Sequence, residues 1–154
     1  MSYEKRVQEL GLAIPEPPSV MGLYRPVIVV DGLAYTSGHG PIGPDGKLVC
    51  GRLGEDLDAD RGREAARLVG LAMLASLRAE LGSLDRVDRL VRTLGLVQSA
   101  PGFTDQPAVI NGFSELMKEV FGPEAGVAAR SAVGAAALPA GMAVEVEAVF
   151  RVEE

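Results

Sequence analysis

An Asp-Gly pair between two β-rich runs constrains the fold of this chain most strongly. Residues 27–30 read Val-Ile-Val-Val and residues 33–37 read Leu-Ala-Tyr-Thr-Ser, with Asp31-Gly32 between them. Both residues of this dipeptide tolerate the positive φ angles of a type I′ turn, which joins antiparallel strands through two residues. The sequence therefore predicts a β-hairpin here.

Two long segments have helical spacing. The first covers about residues 58–81, with acidic residues at its start and Gly82 at its end. The second lies between a Thr-Asp pair at 104–105 and the Gly122-Pro123 pair that should stop it. Its apolar residues fill one continuous face: Val109, Ile110, Phe113, Leu116, Met117, Val120 and Phe121.

Two further strands are predicted. Between about Leu90 and Gln98, three leucines (Leu90, Leu94 and Leu96) share one parity and should face the same way. Residues 144–152 alternate almost strictly between apolar and charged side chains, so Glu145 and Glu147 should share a face roughly 7 Å apart, given a rise of ~3.3 Å per residue.

These elements predict an α+β fold with helices on one face of a sheet. Residues 1–21 form a short helix and an extended, proline-rich arm, and residues 22–154 form the domain. Helices on one face leave the other face of the sheet exposed. Because the chain has only one domain, we expect self-association to bury that face.

Composition restricts the location and the partners. The N-terminus has no signal-peptide pattern, no apolar run could span a bilayer and one cysteine allows no internal disulfide, so we expect a cytoplasmic protein without a membrane partner. The net charge is −6, with four Phe, three Tyr and no Trp. Nucleic acid is therefore an unfavoured partner, because binding it usually needs basic and aromatic surface.

No motif for a metal or a cofactor is present, and we expect neither. The lone His39 and the lone Cys50 have no partners of their own type for a metal site or a Cys–His pair. His39 is interpreted as structural or solvent-facing, and Cys50 as a small packing residue.

Arg130 stands out because small or apolar residues surround it in the run Ala129-Arg130-Ser131-Ala132-Val133. A guanidinium offers a fixed fork of donors that matches a carboxylate, and small neighbours let a ligand approach the backbone. The alternative is an internal salt bridge from Arg130 to Glu145 or Glu147. Spacing alone leaves both interpretations open.

The chain resembles the Rid or YjgF-like family, the reactive intermediate deaminases, whose older name is L-PSP endoribonuclease. The resemblance covers about residues 22–152 and looks like a longer-chain branch of little assigned function. It rests on five features: residues 35–41 (Tyr-Thr-Ser-Gly-His-Gly-Pro), Asn111, residues 129–133, Leu138-Pro139, and residues 144–148 (Val-Glu-Val-Glu-Ala).

The resemblance implies a chorismate-mutase-like fold with a mixed sheet, two long helices on one face, and a homotrimer with clefts between subunits. It implies hydrolysis of 2-imino or 2-enamino acids to keto acid and ammonia, without cofactor. By position, Arg130 would bind the substrate carboxylate, the Ala132 amide would assist it, and Glu145 would position the water. The residues matching the cleft lining are Tyr24, Ser37, Asn111 and Ser131.

The sequence departs from the family pattern around the cleft. Ala132 replaces a common cysteine, His39 replaces a usual glutamine, and Ser114 replaces an aromatic residue. Carboxylate binding is therefore better supported than deamination. Three functions remain: an imine deaminase, a non-catalytic trimer that binds a carboxylate, and an endoribonuclease, which the acidic composition disfavours.

Overall fold

A five-stranded mixed sheet carries two long helices on one face. The computed structural model describes residues 2–154, so Met1 lies outside the described residues. The strands are β1 (Val27–Val30), β2 (Leu33–Thr36), β3 (Val87–Gln98), β4 (Ala129–Ala135) and β5 (Val144–Val152), and the helices are α1 (Tyr3–Glu9), α2 (Ala59–Leu81) and α3 (Gln106–Ala125). The sheet order is β1-β2-β5-β3-β4, and only the β3–β4 pair is parallel.

Local signals placed the hairpin and the first long helix correctly. Asp31 and Gly32 have φ angles of 51° and 74°, as a type I′ turn requires, and β1 pairs with β2 across them. The Asp58 side chain accepts a hydrogen bond from the Arg61 amide at the start of α2, and Gly82 ends that helix with a φ of 82°.

Glycines allow α2 and α3 to pack closely. A Cβ at Gly112 of α3 would overlap the Arg63 carbonyl of α2, and a Cβ at Gly70 would lie 2.7 Å from Leu116. The ion pairs Arg63–Glu115 and Arg67–Glu119 link the exposed side of the same two helices. The helix layer therefore covers one sheet face tightly.

The shared orientation predicted for the three leucines of β3 is wrong. The β3–β5 register shifts between Leu90 and Arg92, which marks a β-bulge. Leu90 is buried under the helices, but beyond the bulge Thr93 and Val97 take the buried positions. Leu94 and Leu96 pair with Glu147 and Glu145 on the opposite face, because one extra residue reverses the parity of everything after it.

The segment around Arg130 is itself a strand, which the sequence did not predict. It forms β4, at the sheet edge, parallel to β3. Its small residues carry almost none of the β-branched or aromatic signal that marks a strand. The stop at Gly122-Pro123 is a kink: Gly122 is non-helical, with a φ of 86°, and one further turn follows to Ala125.

The N-terminal segment is tied to the helix layer. Glu4 receives hydrogen bonds from Arg78 and from the Leu84 amide, and Arg6 donates to the Glu119 carbonyl. Val7 is buried in the hydrophobic core, and Leu12 and Ile14 pack against this core. Beyond these anchors, residues 18–21 of the arm line a cavity. Within residues 2–154, no helix has the length and apolar character needed to cross a bilayer.

Candidate functional site

A cavity of about 660 Å³ opens where the arm meets the sheet face that the helices leave open. We call it the arm cavity. Residues 18–21 of the arm and Tyr24 line one side, and the residues 37–40 segment and β5 line another. Among the predicted site residues it brings together Tyr24, Ser37 and Glu145, with Glu147 beside them.

Glu145 is the partly buried carboxylate of this cavity. A Cβ at Gly38 would lie 2.8 Å from its carboxyl carbon, so Gly38 creates the space that the carboxylate occupies. Burial, and then the like charge of Glu147, raise the pKa of Glu145. A raised pKa suits a carboxylate that accepts and returns a proton near neutral pH.

His39 and Ser37 are committed to the fold. The His39 ring is buried, with Nδ1 2.7 Å from the Ser37 carbonyl and Nε2 2.8 Å from the Ser76 hydroxyl. Burial lowers the pKa of His39, which favours the neutral ring. The Ser37 hydroxyl donates to the Arg25 carbonyl at 2.6 Å. Of the two interpretations of His39, structural and solvent-facing, the structural one is confirmed.

Arg130 lies at the other side of the molecule, against α3. Its Nη1 donates to the Asn111 amide oxygen at 2.8 Å and to the Ser114 hydroxyl at 3.1 Å, and its Nη2 donates to the Pro107 carbonyl at 3.4 Å. We call these residues the arginine cluster. The Nε–H has no hydrogen-bond partner among residues 2–154, and Nη2 makes only the 3.4 Å contact to Pro107.

The backbone of β4 adds a donor beside Arg130. In an extended strand the N–H and C=O of one residue point to the same edge, and successive residues alternate. The Ala135 carbonyl accepts from the Ser99 amide at 3.1 Å, so Ala135 faces β3. By alternation the Ala132 amide points to the free edge of the sheet. The Ser131 side chain lies on the open sheet face, away from the Arg130 side chain.

A single chain therefore divides the predicted site residues into two groups. Arg130 and Asn111 lie on the helix side of an edge strand, whereas Glu145 and Glu147 lie on the open face of β5, with β3 between the two strands. No ion pair joins Arg130 to any carboxylate within residues 2–154. The internal salt bridge to Glu145 or Glu147 is thus wrong for one chain.

The other candidate chemical groups are few. No cluster of three or more His, Cys, Asp or Glu side chains in the described part of the chain is placed to hold a metal ion. Cys50 is exposed, with its thiol 3.4 Å from the Ala140 carbonyl, so its interpretation as a packing residue is wrong.

The family model described as "YjgF/chorismate mutase-like, putative endoribonuclease" matches residues 4–148. The chain belongs to the YjgF family. The match includes most of the N-terminal arm, both long helices, β1 to β4 and the first part of β5.

Relatives of this YjgF protein share nearly its whole length. The curated protein TCP17 of Trypanosoma cruzi is 40% identical over 143 residues, which cover 93% of this chain and 89% of that protein. The solved structure of Atu1372 from Agrobacterium tumefaciens, of unknown function, is 36% identical with a TM-score of 0.88 and coverages of 99% and 94%. A "putative endoribonuclease" of Shewanella oneidensis is 29% identical with a TM-score of 0.93 and coverages of 99% and 100%.

Three features of the candidate site were not predicted from the sequence. The space that Gly38 leaves for Glu145 depends on a contact between distant segments, and no local signal reports it. Ser114 contacts Arg130 because α3 packs beside β4; its replacement of an aromatic residue was the available signal. Val20 and Met21 line the arm cavity, and their apolar character after a proline run could have indicated a contact role.

Proposed function

We propose that this protein hydrolyses 2-imino or 2-enamino acids to 2-keto acids and ammonia at sites between copies of the chain. The observation that carries the proposal is the open side of the Arg130 guanidinium. The Nε and Nη2 nitrogens on that side can donate to the two oxygens of a carboxylate, while Asn111 and Ser114 hold Nη1 in place. The free Ala132 amide can donate to the same ligand.

The divided arrangement supports assembly from more than one chain. Two carboxylates in the arm cavity would repel a carboxylate ligand, and the arginine cluster has no base near it. A second copy that brings its β4 edge to the arm cavity supplies the missing charge. The open sheet face carries exposed apolar side chains, which such a contact would cover: Ile28, Val30, Tyr35 and Val133. We propose a homotrimer, following the resemblance.

The proposed hydrolysis requires one water molecule and one side chain that transfers a proton. A water molecule adds to the C2 carbon of the iminium while the ionised Glu145 takes a proton from that water. The product of this step is a carbinolamine. The protonated Glu145 returns that proton to nitrogen as the C–N bond breaks, and the hydroxyl proton passes to solvent as the C=O bond forms. The products are keto acid and ammonia. Holding the carboxylate and the water lowers the entropic barrier, and a general base contributes ~10²–10⁴-fold.

A non-catalytic binding protein is the second candidate. The arginine cluster supports it equally, since it requires only a carboxylate ligand. A more distant neighbour, TdcF of Escherichia coli, 20% identical with a TM-score of 0.62, has been solved with bound serine. In this candidate the raised pKa of Glu145 serves no reaction.

An endoribonuclease is the third and least supported candidate. The arm cavity is lined by Glu145 and Glu147 together with apolar residues, which is unfavourable for phosphates. No histidine is free for acid–base chemistry on RNA, because both nitrogens of the only one, His39, are paired.

The test is ammonia release from 2-iminopropionate and 2-iminobutyrate generated in situ. Wild type should accelerate release over the spontaneous rate, and Arg130→Ala should not. Arg61→Ala, which removes an exposed arginine of α2, is the matched control and should behave as wild type. No acceleration by wild type, with binding of a keto acid that Arg130→Ala abolishes, would replace the deaminase by the binding protein.

A further inference from the structure

The arm cavity has a wall that the rest of the proposed mechanism does not use. Its apolar lining comes from Pro18, Val20 and Met21 of the arm and from Ile42, Leu48 and Met142 of the domain. The arm cannot swing freely, because its anchors on Arg78, Leu84 and Glu119 and the packing of Leu12 and Ile14 fix its start. Three prolines within residues 15–18 then stiffen its path.

Several polar groups of the cavity already make hydrogen bonds within the chain, and its two carboxylates belong to Glu145 and Glu147. His39 and Ser37 make their hydrogen bonds within the fold, and the Tyr24 hydroxyl accepts from the Met21 amide at 3.3 Å. Apart from the Ser19 and Tyr24 hydroxyls, the side chains of the lining leave no donor for a polar group of a ligand. An acidic side chain would meet the charges of Glu145 and Glu147.

Val20 and Met21 present exposed apolar surface at the border of the cavity. Val20 is 46% exposed and Met21 is 85% exposed, although both border the cavity. The volume of about 660 Å³ is far more than the methyl group of an alanine-derived imine can fill. A larger apolar side chain would displace water from these surfaces.

On this basis we infer that the arm is a specificity element, which selects 2-imino acids derived from large apolar amino acids such as leucine and methionine. The inference rests on the proposed deaminase function and adds its substrate class. Each extra carbon buried in an apolar pocket contributes a modest factor, so leucine-derived imine should exceed alanine-derived imine in kcat/KM by roughly tenfold or more.

The experiment measures kcat/KM for imines generated by an amino acid oxidase from alanine, leucine, methionine, glutamate and lysine. The enzymes are wild type, Val20→Ser, Met21→Ser and the control Glu16→Ser, which alters an exposed arm residue outside the cavity lining. Circular dichroism and native mass check folding and assembly. The leucine-to-alanine ratio should fall about fivefold in each cavity variant and stay unchanged in the control.

The outcomes separate the inference from the proposed function. Equal or better turnover of the alanine, glutamate or lysine derivative by wild type overturns the substrate class and leaves the deaminase intact. A leucine preference that survives both cavity variants overturns the role of the arm alone. Absence of acceleration with every imine overturns the proposed function and the inference with it.

Discussion

Gly38 and Glu145 are in such close contact that the carboxylate occupies the space where any other residue would place its Cβ. The two residues come from distant parts of the chain. They are brought together because the His39 backbone pairs with Val146 of β5. The glycine therefore sets the position of the proposed base.

Gly38→Ala should displace Glu145 and lower turnover. The φ angle of Gly38 lies outside the left-handed region, so alanine tolerates the backbone and the effect comes from the added Cβ. A displacement of about 1 Å in a catalytic group can cost ~10²-fold, and we expect a loss of kcat of about that size. Steady-state kinetics with 2-iminopropionate, beside circular dichroism, measure it. Unchanged kcat in a folded variant would remove Glu145 from the reaction.

On the acidic side, the dependence of kcat/KM on pH (the acidic limb) should follow the ionisation of Glu145. Activity needs the ionised form, so kcat/KM should fall as pH decreases through a pKa that burial and Glu147 have raised. Glu147→Gln removes the like charge and should move this limb to lower pH. Glu145→Gln should abolish the limb together with most of the activity. A limb that stays in place in Glu147→Gln would contradict this assignment.

Ser114→Ala should weaken carboxylate binding without removing it. One of the two acceptors of Arg130 Nη1 is lost, and Asn111 remains. A hydrogen bond of this kind contributes about 1 kcal/mol, so affinity for a keto acid should fall roughly fivefold by calorimetry. Asn111→Ala should cost at least as much. If both variants bound the keto acid with the affinity of wild type, the arginine cluster would not hold the ligand.

Gly112→Ala should destabilise the fold. The new methyl group would overlap the Arg63 carbonyl, so α2 and α3 must separate. Overpacking of this kind costs about 1–3 kcal/mol of the free energy of unfolding. Urea denaturation measures it, with Lys118→Ala, exposed on the same helix, as a control expected within about 0.5 kcal/mol of wild type.

The sequence predicted the elements that depend on local signals. The Asp31-Gly32 turn, the capped helix ending at Gly82 and the alternation of β5 are all specified within a few residues of themselves. It failed where pairing is long-range. The parity of Leu94 follows from a bulge against β5, and β4 is held by its parallel partner, because its own small residues have weak strand preference.

The sequence predicted which residues belong to the candidate site. It did not predict where these residues lie relative to one another. Arg130 and Glu145 could be singled out by residue type and by resemblance. Their placement on opposite faces follows from the parallel β3–β4 register, which spacing along the chain does not contain. The cavity wall likewise depends on where the anchored arm ends.

We propose that Arg130 of one chain acts with Glu145 of another. Two inactive variants, Arg130→Ala and Glu145→Gln, test it when unfolded and refolded together in equal amounts. Native mass should first give about three times the 16.1 kDa of one chain. In a closed trimer with random assortment, about one quarter of the interfaces combine an intact Arg130 with an intact Glu145. We expect recovery of about that fraction of wild-type ammonia release. No recovery from mixed trimers would place both residues in one chain and contradict the proposed pairing.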